Sequence, residues 1–131
     1  MTTQPLTAAS FEQTLLDNEI VLVDFWAAWC GPCRTFGPIF EKASAAHPDI
    51  VFGKVDTEAE QSLAGSAGIT SIPTLMAFRG GILVFSQPGA LPSSALEQVI
   101  ASVRALDMDD IRAQIAESQA ADANADANAA T

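Results

Sequence analysis

The chain has 131 residues, of which 49% are hydrophobic, and a formal net charge of −10. This length suits one domain, with enough apolar residues for a core that needs no disulfide staple. The negative charge argues against nucleic acid and anionic membranes as general partners. No apolar run approaches the roughly 20 residues of a membrane helix, and the N-terminus lacks the pattern of a secretory signal. We therefore expect a cytoplasmic protein.

Short apolar runs bounded by turn residues predict five strands. They are expected in the segment that ends with Leu6 and at residues 20–26, 50–56, 74–78 and 82–85. The run 20–26 is apolar at nearly every position, which is typical of a strand buried on both faces. Arg79-Gly80-Gly81 separates the last two strands and predicts a hairpin turn.

Helical periodicity predicts a helix in each of the longer gaps between strands and another after the hairpin. The helices are expected at residues 8–17 with Thr7 as N-cap, at 33–46, at 58–65, and from Pro92 onward. The resulting order is βαβαβαββα, with parallel strands first and an antiparallel hairpin last. This order places the chain in the α/β class.

Residues 107–131 look like an addition to this unit and carry six acidic residues and one arginine. Met108, Ile111 and Ile115 form a thin apolar stripe that predicts a helical extension. The end of the chain is nearly all Ala, Asp and Asn, which bury too little apolar surface to offset the entropy of ordering. The predicted divisions are a domain over residues 1–106, a helical extension over 107–119 and a disordered tail over 120–131.

Both cysteines of the chain follow the strand 20–26, within the sequence Trp29-Cys30-Gly31-Pro32-Cys33. A strand that ends in C-x-x-C, with the second cysteine inside the following helix, is typical of thiol–disulfide exchange. The N-terminus of a helix carries partial positive charge and unpaired N–H groups, which stabilise a thiolate on Cys30. Cys33 is then close enough to form a disulfide with it.

Two other interpretations of the cysteines are weaker. A zinc site usually needs four nitrogen or sulfur ligands, and only His47 remains to supply another. A structural staple across so few residues would gain little stability from loop closure. We therefore expect no metal site.

Asp24 is the one charged residue within the apolar strand 20–26. A carboxylate in a strand buried on both faces loses its hydration, so its pKa should rise. Such a group can take the proton from Cys33 during disulfide exchange. The alternative is an aspartate near the strand end with access to solvent.

Several motifs surround these residues along the chain. They are Val23-Asp24-Phe25-Trp26-Ala27, Trp29-Cys30-Gly31-Pro32-Cys33-Arg34, Pro38, Lys54-Val55-Asp56, Ile72-Pro73-Thr74 and Pro88-Gly89-Ala90. In this order and spacing the chain resembles the bacterial thioredoxins, from about residue 5 to about residue 106. The resemblance implies the thioredoxin fold, a central mixed sheet flanked by helices, here with a C-terminal helical extension.

The resemblance also implies the activity of a protein-disulfide reductase. Cys30 would be the nucleophile and Cys33 the resolving cysteine, while Asp24 transfers the proton and Lys54 faces Asp24 as its partner. The dipeptide between the cysteines tunes the redox potential in this family, and Gly31-Pro32 resembles that of the strongly reducing members.

An apolar surface for docking protein substrates is expected around Cys30, because exposed apolar patches mark interaction sites. Its members besides the cysteine motif would be Trp29, Ile72, Pro73, Gly89 and Ala90. The resemblance implies a cis peptide bond between Ile72 and Pro73. The Ile72 backbone would then pair with an extended substrate segment.

The resemblance implies no bound cofactor beyond the redox-active disulfide Cys30–Cys33. The expected partners are thioredoxin reductase, which returns the oxidised protein to the dithiol, and disulfide-containing client proteins such as cytoplasmic reductive enzymes. Nothing in the sequence demands more than a monomer. The alternative function is a redox-independent binding module that uses the same docking surface without the thiols.

Overall fold

The computed structural model describes the backbone of residues 3–129 and the side chains of residues 3–121. Within this part of the chain, strands and helices follow one another in the predicted order, with one further helix at the C-terminus. The strands are β1 (Thr3–Pro5), β2 (Ile20–Trp26), β3 (Val51–Asp56), β4 (Thr74–Arg79) and β5 (Ile82–Pro88). The helices are α1 (Phe11–Asp17), α2 (Gly31–Ala46), α3 (Gln61–Ser66), α4 (Ser93–Ala105) and α5 (Met108–Ala129).

The strands form one mixed sheet in the order β1-β3-β2-β4-β5. Strand β3 pairs in parallel with β1 and β2, whereas β4 pairs antiparallel with β2 and β5. The register places Asp24 of β2 beside Lys54 of β3 on one side and Leu75 of β4 on the other. The predicted mixed sheet, parallel strands first and a hairpin last, is confirmed.

Strand β2 is buried on both faces, as its continuous apolar run predicts. Successive side chains of a strand point to opposite faces, so Leu22 packs with Phe36 and Phe40 of α2 on one face. Val23 and Phe25 belong to a separate apolar cluster on the other face. Asp24 shares the parity of Leu22 and therefore points toward the face that α2 covers.

Helix α1 begins at Phe11, so the predicted start at residue 8 and the predicted N-cap at Thr7 are wrong. Thr7 instead closes a turn with Ser10, the N-cap of α1. The Thr7 N–H donates to Ser10 Oγ over 3.0 Å, and the Ser10 N–H donates to the Thr7 carbonyl over 3.1 Å. Serine and threonine side chains stabilise such turns as readily as they cap helices, and the sequence pattern does not separate the two.

Helix α5 continues to Ala129, whereas composition predicts disorder from residue 120. Alanine has the highest helix propensity of any residue, which explains why the backbone of the alanine-rich tract is helical. Residues 130 and 131 of the predicted tail lie outside the described residues. None of the helices described here combines the length and apolar character needed to cross a membrane.

Arg79 joins the sheet to the segment between α4 and α5. Its Nη1 donates to the carbonyl oxygens of Val103, Arg104 and Leu106 over 2.9, 3.0 and 2.9 Å. These carbonyls lie at the end of α4, where intrahelical N–H partners run out; the Leu106 N–H also donates to the Val103 carbonyl over 3.4 Å. Met108, which is buried, then begins α5.

Candidate active site

Cys30 and Cys33 are brought together by the start of α2. Cys30 is the N-cap residue with extended backbone angles, and Cys33 lies in the first turn. The two form a disulfide with their Cα atoms 5.2 Å apart, and the Cys33 N–H donates to Cys30 Sγ over 3.2 Å. In the dithiol form the same N–H and the partial positive charge of the helix end would stabilise a thiolate at Cys30.

Two cavities flank the disulfide. The cavity beside Cys30 has a volume of about 600 Å³, and Trp29, Pro32 and Ile72 are among the residues that line it. We name it the Cys30 groove. The other has a volume of about 410 Å³ and is lined by residues that include Cys33 and Lys54. We name it the Cys33 cavity. A substrate therefore has space to approach Cys30 on a different side from the one that Cys33 faces.

The residues expected to dock substrates lie around the Cys30 groove. Trp29 is 64% exposed, and the Ile72 carbonyl oxygen lies 3.7 Å from Cys30 Sγ. The predicted cis peptide bond between Ile72 and Pro73 is confirmed. The Gly89 N–H donates to the Pro73 carbonyl over 2.7 Å, which brings Gly89 and the exposed Ala90 to this loop.

Gly89 has a positive φ of 100°, a conformation that favours glycine. Gly31 and Pro32 are exposed in the first turn of α2, and a Cβ at Gly31 would meet nothing within 4 Å. The turn between the cysteines is therefore accessible from solvent.

Asp24 of β2 has no exposed surface, and no described residue forms a hydrogen bond with either of its carboxylate oxygens. Burial raises the pKa of Asp24 from 3.8 to about 6, and the positive charge of Lys54 opposes this rise. The alternative of an aspartate with solvent access is therefore wrong. A carboxyl group with this pKa changes protonation close to neutral pH, as a general acid or base requires.

Lys54 connects Asp24 to the Cys33 cavity. Its Nζ lies 3.9 Å from Asp24 Oδ2, and 29% of its side chain is exposed. The ammonium also lies over the ring of Trp26, 5.1 Å from the ring centre. The structure thus places Lys54 beside Asp24, as the resemblance implies.

Two residues that contact the site were missed by sequence reasoning. Arg34 donates from Nε and Nη2 to the Ala28 carbonyl over 3.2 and 2.9 Å, which fixes the loop before the cysteines. Trp29 donates from Nε1 to the Glu58 carboxylate. Arg34 lies one helical turn after Cys30, a spacing that could have indicated the first contact. The second joins residues 29 positions apart and leaves no local pattern.

His47 is far from the cysteines and does not complete a metal site with them. It is the C-cap of α2, so it lies about 26 Å along the helix from Cys30 at a rise of about 1.5 Å per residue. The His47 ring pairs with Glu97 and Arg104. Among the described residues, no group of three or more His, Cys, Asp or Glu is arranged to hold a metal ion.

Comparison with known proteins identifies the family. The family model described as Thioredoxin matches residues 2–102. The chain belongs to the thioredoxin family. A thioredoxin of Alicyclobacillus acidocaldarius is 42% identical over 102 residues, which cover 77% of this chain and 97% of that protein.

Two further thioredoxins show how far the similarity extends. A Streptomyces coelicolor protein named as a thioredoxin is 60% identical over 118 residues, 90% of this chain and 88% of its own. Because 118 aligned residues are more than residues 1–106 contain, that alignment must run into the C-terminal extension. The structure of Plasmodium falciparum thioredoxin superposes with a TM-score of 0.72 at 37% identity, covering 76% of this chain and 98% of the other.

Thioredoxin homology and the Cys30–Cys33 disulfide together define the activity. The protein is a dithiol–disulfide oxidoreductase of the protein-disulfide reductase type. The predicted family and activity are confirmed, and a redox-independent binding module is not favoured.

Proposed function

We propose that Cys30 is the nucleophile of this reductase. The observation that carries this proposal is its N-cap position, with the Cys33 N–H directed at Cys30 Sγ beside an open groove. The Cys30 thiolate attacks a client disulfide, which breaks the client S–S bond and forms a mixed disulfide. The displaced client sulfur leaves as a thiolate and takes a proton from water.

Cys33 then resolves the mixed disulfide with the help of Asp24. Asp24 accepts the Cys33 proton, the Cys33 sulfur attacks Cys30 Sγ, and the second client sulfur leaves. The client disulfide gains two electrons and Cys30–Cys33 loses two. The buried position of Asp24 and its pKa of about 6 support this role, and Lys54 holds the ionised carboxylate in place.

The docking surface consists of the exposed Trp29 and the half-buried Ile72 beside the Cys30 groove, with the buried Pro73 behind Ile72 and with Gly89 and Ala90 at the adjoining loop. An extended client segment placed there would pass the Ile72 backbone, which lies 3.7 Å from the sulfur that reacts. Gly31-Pro32 would set a reducing potential. Family membership supports thioredoxin reductase as the protein that regenerates the dithiol and disulfide-containing proteins as clients. We propose a monomer that works in the cytoplasm and needs no bound cofactor or metal.

Trapping experiments test the two cysteine roles. The Cys33→Ser variant should accumulate a covalent adduct with a disulfide client, because the mixed disulfide has no resolving thiol. The matched Cys30→Ser variant should accumulate none, because the attacking thiolate is missing. Adducts measured by non-reducing gel and mass spectrometry in the opposite pattern would reverse the assigned roles.

A double Cys30→Ser and Cys33→Ser variant separates reduction from binding. Both serines are close to the size of cysteine, so the docking surface should remain. The reductase proposal predicts that the variant loses cellular function, measured by complementation of a strain without its own thioredoxins. Full complementation would instead support the redox-independent binding module.

A further inference from the structure

Gly37 lies in α2 where a side chain would point at Lys54. A Cβ placed on Gly37 would be 3.7 Å from Lys54 Nζ, with no other atom outside the helix backbone within 4 Å. Gly37 also lines the Cys33 cavity together with Cys33 and Lys54. The missing side chain therefore leaves open the part of the cavity next to the ammonium.

The backbone does not require glycine at this position. The φ of Gly37 is not positive, and 3.7 Å is an ordinary contact distance that alanine would tolerate. Glycine inside a helix costs about 1 kcal/mol relative to alanine. One local benefit is relief of crowding against the following Pro38, and the test below separates that benefit from an effect on the cavity.

Asp24 needs a route for its proton. Its carboxylate is wholly buried, and neither oxygen has a hydrogen-bond partner among the described residues. The nearest charged group is Lys54 Nζ at 3.9 Å, which is partly exposed and borders the Cys33 cavity. Lys54 therefore links Asp24 to the Cys33 cavity, at the ammonium that Gly37 leaves uncovered.

We propose that Gly37 is a positioning residue for the resolution step, because it keeps the Cys33 cavity open to water at Lys54. This inference rests on the proposed role of Asp24. When Cys33 attacks the mixed disulfide, its proton passes to Asp24 and the client sulfur leaves as a thiolate. Water that enters the cavity carries this proton from Cys33 to Asp24, so the rate of resolution itself depends on the open cavity. Asp24 later returns the proton to water, and the carboxylate is restored for the next turnover.

The test measures the oxidation of the dithiol protein by a disulfide substrate in stopped flow, with tryptophan fluorescence as the signal. Substrate is raised until the rate no longer depends on its concentration, so that resolution is observed. Gly37→Met fills the cavity and should slow this rate about three- to tenfold, part of what a general base contributes. Gly37→Ala should stay close to the parent rate.

Two further variants control for misfolding of Gly37→Met and for the effect of adding a methionine to the exposed surface of α2. Ala28→Met enters the same cavity from the exposed loop before the cysteines and leaves Gly37-Pro38 unchanged. It should also slow resolution, and it tests the proposal if Gly37→Met does not fold. Ala45→Met adds the same side chain to an exposed position of α2 outside the cavity and should keep the parent rate.

Combination with Asp24→Asn identifies the group through which Gly37 acts. Asp24→Asn should slow resolution by itself, and Gly37→Met should add nothing to it because the proton acceptor is already absent. The slowing by Gly37→Met should also fade below the Asp24 pKa of about 6, where the carboxyl is already protonated.

The outcomes separate this inference from the proposed function. If Asp24→Asn slows resolution but neither methionine in the cavity does, the inference is wrong and the role of Asp24 stands. If Asp24→Asn has no effect, the role of Asp24 fails and the inference fails with it. Equal slowing by Gly37→Ala and Gly37→Met would assign the effect to crowding against Pro38. Equal slowing of the parent and of the Asp24→Asn variant by Gly37→Met would also overturn the inference.

Discussion

The buried carboxyl of Asp24 should make the stability of this protein depend on pH, and Asp24→Asn should remove that dependence. The folded-state pKa is about 6 against 3.8 for a free aspartate, chiefly because burial disfavours the charge. One pKa unit corresponds to 1.36 kcal/mol, so the shift amounts to about 3 kcal/mol. The group is fully buried, so no discount for solvent screening applies.

The sign follows from the direction of the shift. Because the folded state holds this proton more tightly than the unfolded state, the stability from protonated Asp24 is complete below about pH 3.8. That stability is lost as the pH rises through about 6. The free energy of unfolding of Asp24→Asn minus that of the parent should therefore rise by about 2.4 kcal/mol between about pH 4 and about pH 8, the remainder being lost below pH 4.

The assay is urea unfolding of the oxidised proteins across this pH range, with the cysteines held in their disulfide. Titration of all other groups cancels in the difference between variant and parent. The buried asparagine amide adds an offset that does not depend on pH, and an Asp24→Val variant should reproduce the same rise with a different offset. A difference that stays constant within about 0.5 kcal/mol from about pH 4 to about pH 8 would refute the reasoning.

Three other predictions follow from the site and the fold. Lys54→Met should raise the pKa of Asp24 further, because the positive charge of Lys54 lowers it; an unchanged pKa in carboxyl-carbon NMR would show that Lys54 does not act on Asp24. The reduction potential of Cys30–Cys33, measured by equilibration with a dithiol buffer and thiol counting, should lie well below that of the glutathione pool, and a more oxidising value would contradict the role given to Gly31-Pro32. A chain ended after residue 106 should keep its insulin-reducing activity, because none of the described side chains of α5 lines either cavity beside the disulfide; a large loss of activity would assign the extension a part in function.

Much of the fold was predictable because its signals are local. The apolar run of β2 predicts a central strand, and the cysteine motif directly after it predicts the start of α2. The strand follows from side-chain periodicity, and the helix start follows from the N–H groups that lack partners at a helix end. A few neighbouring residues determine both. The burial of Asp24 was also predictable from local sequence, because its six apolar neighbours in β2 indicate a strand that is buried on both faces.

Local signals were ambiguous where one residue type suits two structures. Thr7 closes a turn with Ser10 instead of capping α1, because the same hydroxyl serves both geometries. The alanine-rich end of α5 is helical to Ala129, although its composition also suits an unfolded chain. In each case the competing conformations differ by little free energy, and the pattern alone does not choose between them.

The sequence by itself determined the α/β order and the redox motif, and its resemblance to thioredoxins predicts the residues of the site. The resemblance already implied that Lys54 faces Asp24. Only the tertiary structure decided that Glu58 meets the Trp29 indole and that Gly37 lies opposite the Lys54 ammonium. These contacts depend on the register of β2 with β3 and on the seating of α2 over the sheet. Such register is fixed by packing across the whole core, so no short stretch of sequence contains it.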